Sequence, residues 1–392
     1  MSVSTEKDGS GPAGVCIVSH LFPNREQPLY GVFVREGARA LARYRPVSVV
    51  APVSHFPVLR PRRTVPARDD APAFPIVHPR YLALPRFLFA QRWRTYGAAL
   101  QRGLSAIRQD AALLHAHWVY PDAYAAARLC RRTGQKLVIT VHGHRTITAT
   151  AAERRFVQQP LSAADQIITV SEELRAKLIA TYGVSPEKIS LVRNGYDPEK
   201  FGVKSRQEAR VTLGIPADRP VAITVARLSP EKALDVLIRA TRHASREDLL
   251  LYLIGDGPLK AELRRLIDAE GLAQRITLVG GVPHGDLNTW FSAADFFCLP
   301  SHTEGCPVVI HEAFACGIPV VASSVGAIPE LIDSPALGVL CAPGDIDALA
   351  AALDRAAGTA WSQQAIADYG RRFTWNAAAQ QTSAIYDEVL GR

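Results

Sequence analysis

Two glutamates, Glu304 and Glu312, are separated by seven residues in the stretch SHTEGCPVVIHEAFACGIPVVAS, whose other residues are mostly small or apolar. Glu304 follows the apolar run FFCLP, and Pro307 can begin a helix that carries Glu312. The turn between them contains Gly305 and Cys306. N–H groups in the first turn of a helix lack intrahelical partners and can bind phosphate. Two carboxylates flanking a phosphate could accept hydrogen bonds from hydroxyl groups on both sides, which is the layout of a nucleotide sugar.

Two cations lie where the strand-like run VAITVA gives way to the segment ARLSPEKALDVLI. Arg227 and Lys232 stand before or at the start of a predicted helix. A cation is unfavourable at a helix N-terminus, so a fixed anion such as a diphosphate would explain the placement. The alternative is that Lys232 points to solvent, as most lysines do.

The segment IGDGPLKAEL places Gly255 and Gly257 after another apolar run. Such a turn lets the backbone approach a ligand closely, and it serves equally as a connection from strand to helix. Pro258 occupies a favourable first position of that helix. The segment lacks the glycine fingerprint of a dinucleotide site, which argues against a dehydrogenase.

The first half of the chain contributes histidines at the ends of predicted strands. His117 lies in HAHWVYPD, and His142 and His144 lie in VHGHRT. A strand-end histidine beside a glycine is a site candidate, with a core histidine as the alternative. Acidic residues are too few nearby for a metal site. Gly31 opens a helix with a basic face and could help to hold an anion.

The elements that position these residues follow a repeating pattern of short apolar runs and longer amphipathic segments. The runs are apolar at consecutive positions, which is typical of parallel strands covered on both faces. The pattern restarts after a turn-rich stretch, so two doubly wound domains are predicted, joined near residues 197–218. Ligands of such sheets bind beyond the carboxyl ends of the strands, where all the candidates above lie.

Charge is distributed unevenly along the 392 residues, and the net +8 hides this. Residues 1–196 hold 27 Lys and Arg against 13 Asp and Glu, whereas residues 197–392 hold 18 against 24. The first half is therefore the basic one. Nucleic acid is the weakest candidate partner, because no nucleic-acid-binding motif accompanies the arginines. The polar start of the chain and the lack of long apolar runs predict a cytoplasmic protein.

Six cysteines are scattered without a C-x-x-C pair, which predicts free thiols and no zinc site. Cys306, in the turn beside Glu304, is the one whose reactivity would be worth testing. One D-x-D sequence, Asp345 to Asp347, follows Pro-Gly and opens an alanine-rich helix, so capping is the predicted role.

The segments ARLSPEK, GDGP, TEGCPVVIHEAFACGIPVVAS and NGYD together resemble the family-4 glycosyltransferases of the GT-B fold, which transfer sugars with retention. The likeness covers nearly the whole chain, and the two spaced glutamates are its most specific part. It implies that Arg227 and Lys232 bind the donor diphosphate. It also implies that Glu304 binds the transferred sugar, Glu312 the ribose, and that His142 lies beside the transferred sugar.

The resemblance also assigns the remaining candidates. Asn194, in NGYD, belongs to a common segment between the domains and is predicted to bind donor. Family members often carry an acid two residues after HG, where this chain has His144 followed by Arg145. With His117, these two residues are predicted to bind the acceptor. The predicted donor-binding residues are Gly31, Asn194, Gly255, Gly257, Gly305, Cys306, Pro307 and Glu312.

The resemblance implies an α/β, GT-B architecture of two Rossmann-like domains that face each other across a cleft. Predicted boundaries are residues 1–196 for the acceptor-binding domain, with residues 1–13 disordered, and residues 197–371 for the nucleotide-sugar domain. Residues 372–392 form a C-terminal helix that crosses back. No cofactor or metal is expected, because the leaving phosphate can deprotonate the acceptor while Arg227 and Lys232 stabilise the developing charge.

The start of the chain, with HAHWVYPDAYAA, resembles bacterial enzymes that build teichuronic acid, capsules or exopolysaccharides. This implies a glycan or lipid-linked acceptor. Arginines mixed with aromatic residues between residues 55 and 100 could lie on an anionic membrane, or could form a core helix with a solvated basic face. Two other functions share the expected donor site: a nucleotide-sugar epimerase and a non-catalytic nucleotide-sugar-binding subunit.

Overall fold

The computed structural model describes residues 12–28, 30–56, 65–71, 73–84, 90–107, 111–143, 149–151 and 153–392. The chain divides into two compact units. The first unit comprises Met1–Thr169, Leu178–Val192 and Ala379–Arg392, and the second comprises Val170–Lys177 and Arg193–Ala378.

The first unit is built on a twisted sheet whose strands carry the valine, isoleucine and leucine runs of the first half. Its strands are β1 (Gly14–Val18), β2 (Val47–Val50), β3 (Val53–His55), β4 (Arg68–Ala71), β5 (Phe74–Val77), β6 (Arg80–Leu82), β7 (Ala111–Ala116), β8 (Lys136–Val141), β9 (Gln166–Thr169) and β10 (Ile189–Leu191). Eight of them form one sheet in the order β10-β9-β8-β7-β1-β2-β5-β4, while β3 pairs with β6. Within the eight-stranded sheet only β4 runs antiparallel to its neighbour.

Helices cover this sheet because one face of each is apolar. The helices are α1 (Val32–Leu41), α2 (Arg92–Ala106), α3 (Tyr124–Thr133), α4 (Arg154–Ala163) and α5 (Glu172–Tyr182), of which α5 belongs to the first unit only from Leu178 onward. Tyr96 and Leu100 of α2 are fully buried, and Arg94 and Arg102 on the same helix are exposed. The alternative predicted for this basic stretch, a core helix with a solvated face, therefore describes α2.

The second unit repeats the architecture with a six-stranded, wholly parallel sheet. Its strands are β11 (Val221–Val225), β12 (Leu250–Ile254), β13 (Ile276–Gly280), β14 (Phe296–Leu299), β15 (Val320–Ser323) and β16 (Gly338–Cys341). The order β13-β12-β11-β14-β15-β16 is that of a Rossmann fold. Its helices are α6 (Arg206–Leu213), α7 (Leu234–His243), α8 (Lys260–Ala269), α9 (Leu287–Ala293), α10 (Val308–Ala315), α11 (Ile328–Leu331), α12 (Ile346–Gly358) and α13 (Gln363–Gly370).

The last helix, α14 (Trp375–Leu390), belongs to the first unit from Ala379 onward. Tyr386 is completely buried there, and its hydroxyl lies 2.6 Å from Nδ1 of His115. The buried guanidinium of Arg45 donates to the Ser383 carbonyl at 2.9 Å and to Asp387 Oδ1 at 3.0 Å. The predicted α/β fold of two Rossmann-like domains with a returning C-terminal helix is confirmed.

None of the helices in the described ranges is both long and apolar enough to cross a membrane. All six cysteines are free, as predicted, and all six are buried. Most of residues 1–13, predicted to be disordered, lie outside the described part of the chain.

Candidate active site

The carboxyl edge of the second sheet brings a predicted cation and a predicted carboxylate together. Lys232 lies in a short helical turn, Pro230–Lys232, after β11, and Glu304 follows β14, the neighbouring strand. Nζ of Lys232 donates to Oε1 of Glu304 at 2.6 Å, and Ser301 Oγ donates to the same oxygen at 2.7 Å. The Lys232 side chain is only 21% exposed, so it does not simply point to solvent.

Both predicted cations, Arg227 and Lys232, affect the pKa of a carboxyl group in this turn. Arg227 is exposed beyond the end of β11. Burial acts to raise the pKa of the nearby Glu231 carboxyl. The pKa is nevertheless lowered, because Ser229 Oγ donates to the carboxyl at 2.6 Å and Lys232 and Arg227 add positive charge. The same positive potential would stabilise a bound diphosphate.

Gly255 and Gly257 let the turn after β12 lie directly against the turn after β11. A Cβ on Gly255, whose φ is 137°, would lie 1.9 Å from the Ala226 carbonyl oxygen, and one on Gly257 would lie 2.4 Å from that of Leu228. Leu228 N–H donates to the Asp256 carbonyl at 3.0 Å. The glycines are thus required by close backbone packing, and α8 begins at Lys260 rather than at Pro258.

The turn that precedes α10 is tied down from two sides. The helix was predicted to begin at Pro307; it begins at Val308, and Pro307 is its N-cap. Asn194 Nδ2 donates to the carbonyl of Cys306 at 2.8 Å. Ala327 N–H donates to the carbonyl of Gly305 at 2.8 Å. Asn194 therefore acts on this turn through a hydrogen bond, and its predicted donor contact stays a prediction.

Cys306 is not the accessible thiol that its turn suggested. Its side chain is buried, and Sγ lies 3.4 Å from Nε2 of His311. Burial raises the pKa of the Cys306 thiol to about 12, so the reactive thiolate is scarce at neutral pH.

Glu312 has a partner that the sequence reasoning did not name. The carboxylate is almost fully buried on α10, and its Oε1 lies 2.8 Å from Nε2 of His284. His284 stands in the turn that follows β13, and its ring packs against Phe201 at 5.1 Å between centroids. The strand-end rule that selected the other candidates would have found His284 in GVPHGDL.

In the first unit, His117 and His142 follow the adjacent strands β7 and β8 at the same edge of the sheet, as predicted, and they are in contact. Nδ1 of His117 lies 2.9 Å from Nε2 of His142, and the rings stack with 5.2 Å between centroids. Burial lowers the pKa of His117 to about 3, and burial together with His117 lowers that of His142. Both rings are therefore neutral at pH 7.

The proton count of this pair constrains what it can bind. Each neutral ring carries one N–H, and one of them must occupy the shared hydrogen bond. Of the two outer nitrogens, His117 Nε2 and His142 Nδ1, one is consequently a donor and the other an acceptor. Both are buried, and neither meets a hydrogen-bond partner within the described ranges.

Other predicted site residues are not brought into these clusters. Gly31 caps α1 with a φ of 72°, and a Cβ there would lie 2.1 Å from the Leu21 carbonyl oxygen. Local packing thus accounts for the glycine, and an anion at this turn stays a prediction. His144 and Arg145 lie outside the described residues.

The D-x-D sequence caps a helix, as predicted. Asp345 is the N-cap of α12, and its Oδ1 accepts from Ala348 N–H at 2.9 Å. Asp347 is exposed and lies 2.9 Å from Nδ1 of His243. In the part of the chain that the structure describes, no cluster of three or more His, Cys, Asp or Glu residues could hold a metal ion.

Two doubly wound units, with a C-terminal helix that returns to the first, define a protein of the GT-B class. Residues 30–200 match the family described as Glycosyltransferase Family 4, and residues 205–373 match the one described as Glycosyl transferases group 1. Together the matches span most of the chain. Both halves of the chain thus match glycosyltransferase families, and the fold that they build is GT-B.

Relatives with curated names match part of the chain. D-inositol 3-phosphate glycosyltransferase 2 of Catenulispora acidiphila is 33% identical over 247 residues, which are 59% of this chain and 58% of that protein. The D-inositol 3-phosphate glycosyltransferase of Mycobacterium bovis is 31% identical over 246 residues, 60% of this chain and 51% of that one. The matches thus span less than two thirds of these relatives. Their names point to inositol phosphate rather than specifically to teichuronic acid or capsule synthesis.

Solved structures agree with the fold over the whole length. Sucrose-phosphate synthase from Thermosynechococcus elongatus has a TM-score of 0.82 at 23% identity, covering 97% of this chain and 99% of that one. HepE from Anabaena, in complex with UDP, has a TM-score of 0.70 at 20% identity, covering 96% and 100%. At these identities the likeness establishes the fold alone.

Proposed function

We propose that the chain is a retaining, metal-independent glycosyltransferase that moves a hexose from a UDP- or GDP-sugar to a hydroxyl of a glycan or lipid-linked acceptor. The observation that carries this proposal is the contact between Lys232 and Glu304. It places a cation suited to phosphate and a carboxylate suited to sugar hydroxyls within one hydrogen bond at a strand edge. The matches of both halves of the chain to glycosyltransferase families support the proposed reaction class.

Each candidate then has a chemical task. Arg227 and Lys232 neutralise the donor diphosphate as negative charge develops on it. Glu304 binds hydroxyls of the transferred sugar, and Glu312, held by His284, binds the ribose. His142 contacts the transferred sugar. Lys232 must share its ammonium between Glu304 and a phosphate, which three N–H donors allow.

The proposed reaction keeps the anomeric configuration. The bond between the anomeric carbon and the diphosphate oxygen breaks, and the acceptor oxygen bonds to the same face of that carbon. The acceptor proton passes to the leaving phosphate oxygen, so neither a carboxylate nucleophile nor a metal is required. Full activity in EDTA and a retained configuration by NMR are the expected results. An inverted product, or activity that is lost in EDTA and restored by Mn²⁺, would contradict the mechanism.

Similar proteins suggest which donors and acceptors to test first. HepE, whose structures hold UDP and UDP-glucose, makes UDP-sugars the first donors to test. The names of the curated relatives add inositol phosphate to the glycan and lipid-linked acceptors. The basic first half supports work at the inner face of the cytoplasmic membrane in cell-surface polysaccharide synthesis, with co-sedimentation on anionic vesicles at low and high salt as its test.

A mass-spectrometric screen tests the proposal. UDP- and GDP-sugars are incubated with wild type or Glu304→Ala, each with and without D-inositol 3-phosphate or membrane lipid extract. Sugar transfer that needs both an acceptor and Glu304 is the expected result. Conversion of the donor to an isomeric nucleotide sugar without release of nucleotide diphosphate would instead indicate an epimerase, and binding without turnover a nucleotide-sugar sensor.

A further inference from the structure

A carboxylate that the proposed mechanism does not use is buried in the first unit. Asp122 lies in the helical turn Val119–Ala123 after β7 and is completely inaccessible to solvent. Its Oδ1 accepts from the Tyr96 hydroxyl and, at 3.2 Å, from the backbone N–H of His20. Its Oδ2 lies 2.9 Å from Nδ1 of His20. Among the described residues, no arginine or lysine pairs with Asp122. The buried carboxyl is therefore stabilised by its hydrogen bonds to Tyr96 and His20.

This carboxylate fixes the ring of His20. An ionised carboxylate only accepts hydrogen bonds, so Nδ1 of His20 carries the proton that is donated to Asp122. In the neutral form of the ring, the lone pair is then on Nε2. The His20 side chain is 25% exposed, and no described residue hydrogen-bonds its Nε2. His20 therefore presents an oriented hydrogen-bond acceptor beyond the carboxyl end of β1.

Aromatic rings with buried nitrogens that lack hydrogen-bond partners lie near His20 in the described structure. The Trp118 ring lies 6.0 Å from that of His20 and 5.5 Å from that of His142. Trp118 Nε1 is buried without a hydrogen-bond partner in the described structure, as are the outer nitrogens of the His117 and His142 pair. Because β1, β7 and β8 are adjacent, these groups belong to one edge of the sheet.

The chemistry of this edge suits hydroxyl groups. It offers a fixed acceptor on His20, a fixed donor on Trp118, and one donor and one acceptor on the histidine pair. A hydroxyl both donates and accepts, so a polyhydroxylated molecule matches such a mixed set. The charged groups assigned to the donor lie in the second unit, and of the ring groups at this edge only His142 is assigned to the transferred sugar.

We propose that His20, oriented by Asp122, binds a hydroxyl group of the acceptor through Nε2. The inference rests on the proposed function and adds an acceptor-binding residue to it, with Asp122 as a positioning residue. It predicts that His20 affects use of the acceptor and leaves the donor half of the reaction unchanged.

The sharpest variant is His20→Asn, whose amide can still donate to Asp122 but has no atom at the position of Nε2. The matched control is His243→Asn, because His243 makes the same 2.9 Å contact with a carboxylate, Asp347, on an exposed surface. The probes are the panel of UDP- and GDP-sugars, with membrane lipid extract or D-inositol 3-phosphate as acceptor. Slow hydrolysis of the donor without acceptor reports on folding and donor binding.

We expect His20→Asn to raise the half-saturating acceptor concentration about tenfold or more, the effect of one lost hydrogen bond to an oriented group. Donor hydrolysis and donor KM should stay within about twofold of wild type, and His243→Asn should match wild type throughout. Unchanged acceptor saturation in His20→Asn, or an equal loss of hydrolysis and transfer, would overturn the inference alone. A wild type that releases no nucleotide diphosphate from any donor would overturn the proposed function and this inference with it.

Discussion

Lys232 and Glu304 form an ion pair that is largely shielded from water, and this burial determines how strongly the pair affects stability. Their side chains are 21% and 9% exposed, so each has lost much of its hydration. Removing one partner from such a pair leaves an unpaired charge, whereas removing both does not. The same pair that is proposed to act on the donor therefore also couples two loops of the second sheet.

A double-mutant cycle of Lys232→Met and Glu304→Gln tests this coupling. Each single change should lower the free energy of unfolding, and the double variant should be more stable than the sum of the single effects implies. We expect a coupling energy of about 1 kcal/mol, discounted for partial exposure. Urea unfolding of the four proteins measures it. Additive effects would show that the contact contributes no net stability.

The neutral His117 ring predicts a specific dependence of stability on pH. Its pKa is about 3 in the folded chain, against an ordinary value of 6.5. Below pH 6.5 the unfolded chain binds a proton that the folded chain does not, so stability falls as pH falls toward 3. Between pH 7 and 5, wild type should lose about 2 kcal/mol more than His117→Gln. Urea unfolding measures the free energy of unfolding at both pH values. An equal change between pH 7 and 5 in the two proteins would contradict the prediction.

At the scale of elements, apolar runs predicted five of the six strands of the second sheet, because a parallel strand covered on both faces is apolar throughout. The edge strand β16 was not predicted, and neither was β5, which is only four residues long and contains Pro75. The pairing of Glu312 with His284 also escaped, since it joins α10 to the turn after β13 and spacing along the chain does not encode it. Sequence thus predicted which strand ends carry candidate site residues, and the structure supplied the hydrogen-bond partners of several of them.

Gly255 gives an element-scale prediction about the turn after β12. Gly255→Ala forces a side chain into a positive φ and against the Ala226 carbonyl oxygen, so it should cost about 3 kcal/mol. Gly281→Ala, after β13, is the matched control because a Cβ there meets nothing within 4 Å. Thermal unfolding should show a clear loss only in the first variant. Equal melting temperatures would mean that the turn can move aside.

Asp345, the N-cap of α12, allows a test of whether the D-x-D sequence caps a helix or binds a metal. Asp345→Ala removes the hydrogen bond to Ala348 N–H and should lower the free energy of unfolding by about 1 kcal/mol while leaving sugar transfer intact. Asp347→Ala, on the exposed surface, should change stability by less than about 0.5 kcal/mol. Thermal melts and transfer assays with and without Mn²⁺ measure both effects. A transfer defect that Mn²⁺ relieves would overturn the capping assignment.

At the scale of the whole molecule, the first unit is completed by residues that are distant in sequence. Arg45 is buried and hydrogen-bonds to Ser383 and Asp387, and Tyr386 fills a buried position beside His115. The resemblance to GT-B enzymes predicted the returning helix. The apolar and aromatic pattern of the helix could not specify the polar contacts, because they depend on three separated segments.

A chain that ends at Ala378 tests the contribution of this helix. Without Ser383 and Asp387, the buried guanidinium of Arg45 loses its partners, which is strongly destabilising. Limited proteolysis with mass spectrometry should show the first unit cleaved far faster than in the full chain, and the second unit still resistant. A chain lacking only Gly391 and Arg392 is the control. Equal protection of the first unit in both chains would contradict the prediction.

The return of α14 also fixes an order of events during synthesis. The ribosome finishes the sheet of the first unit by Leu191 but must translate the second unit before Tyr386 exists. At about 5–20 residues per second, that interval lasts about 10–40 s. Until then the position that Tyr386 fills beside His115 has no side chain, and Arg45 lacks its partners Ser383 and Asp387. We therefore expect the nascent first unit to depend on chaperones most during this interval.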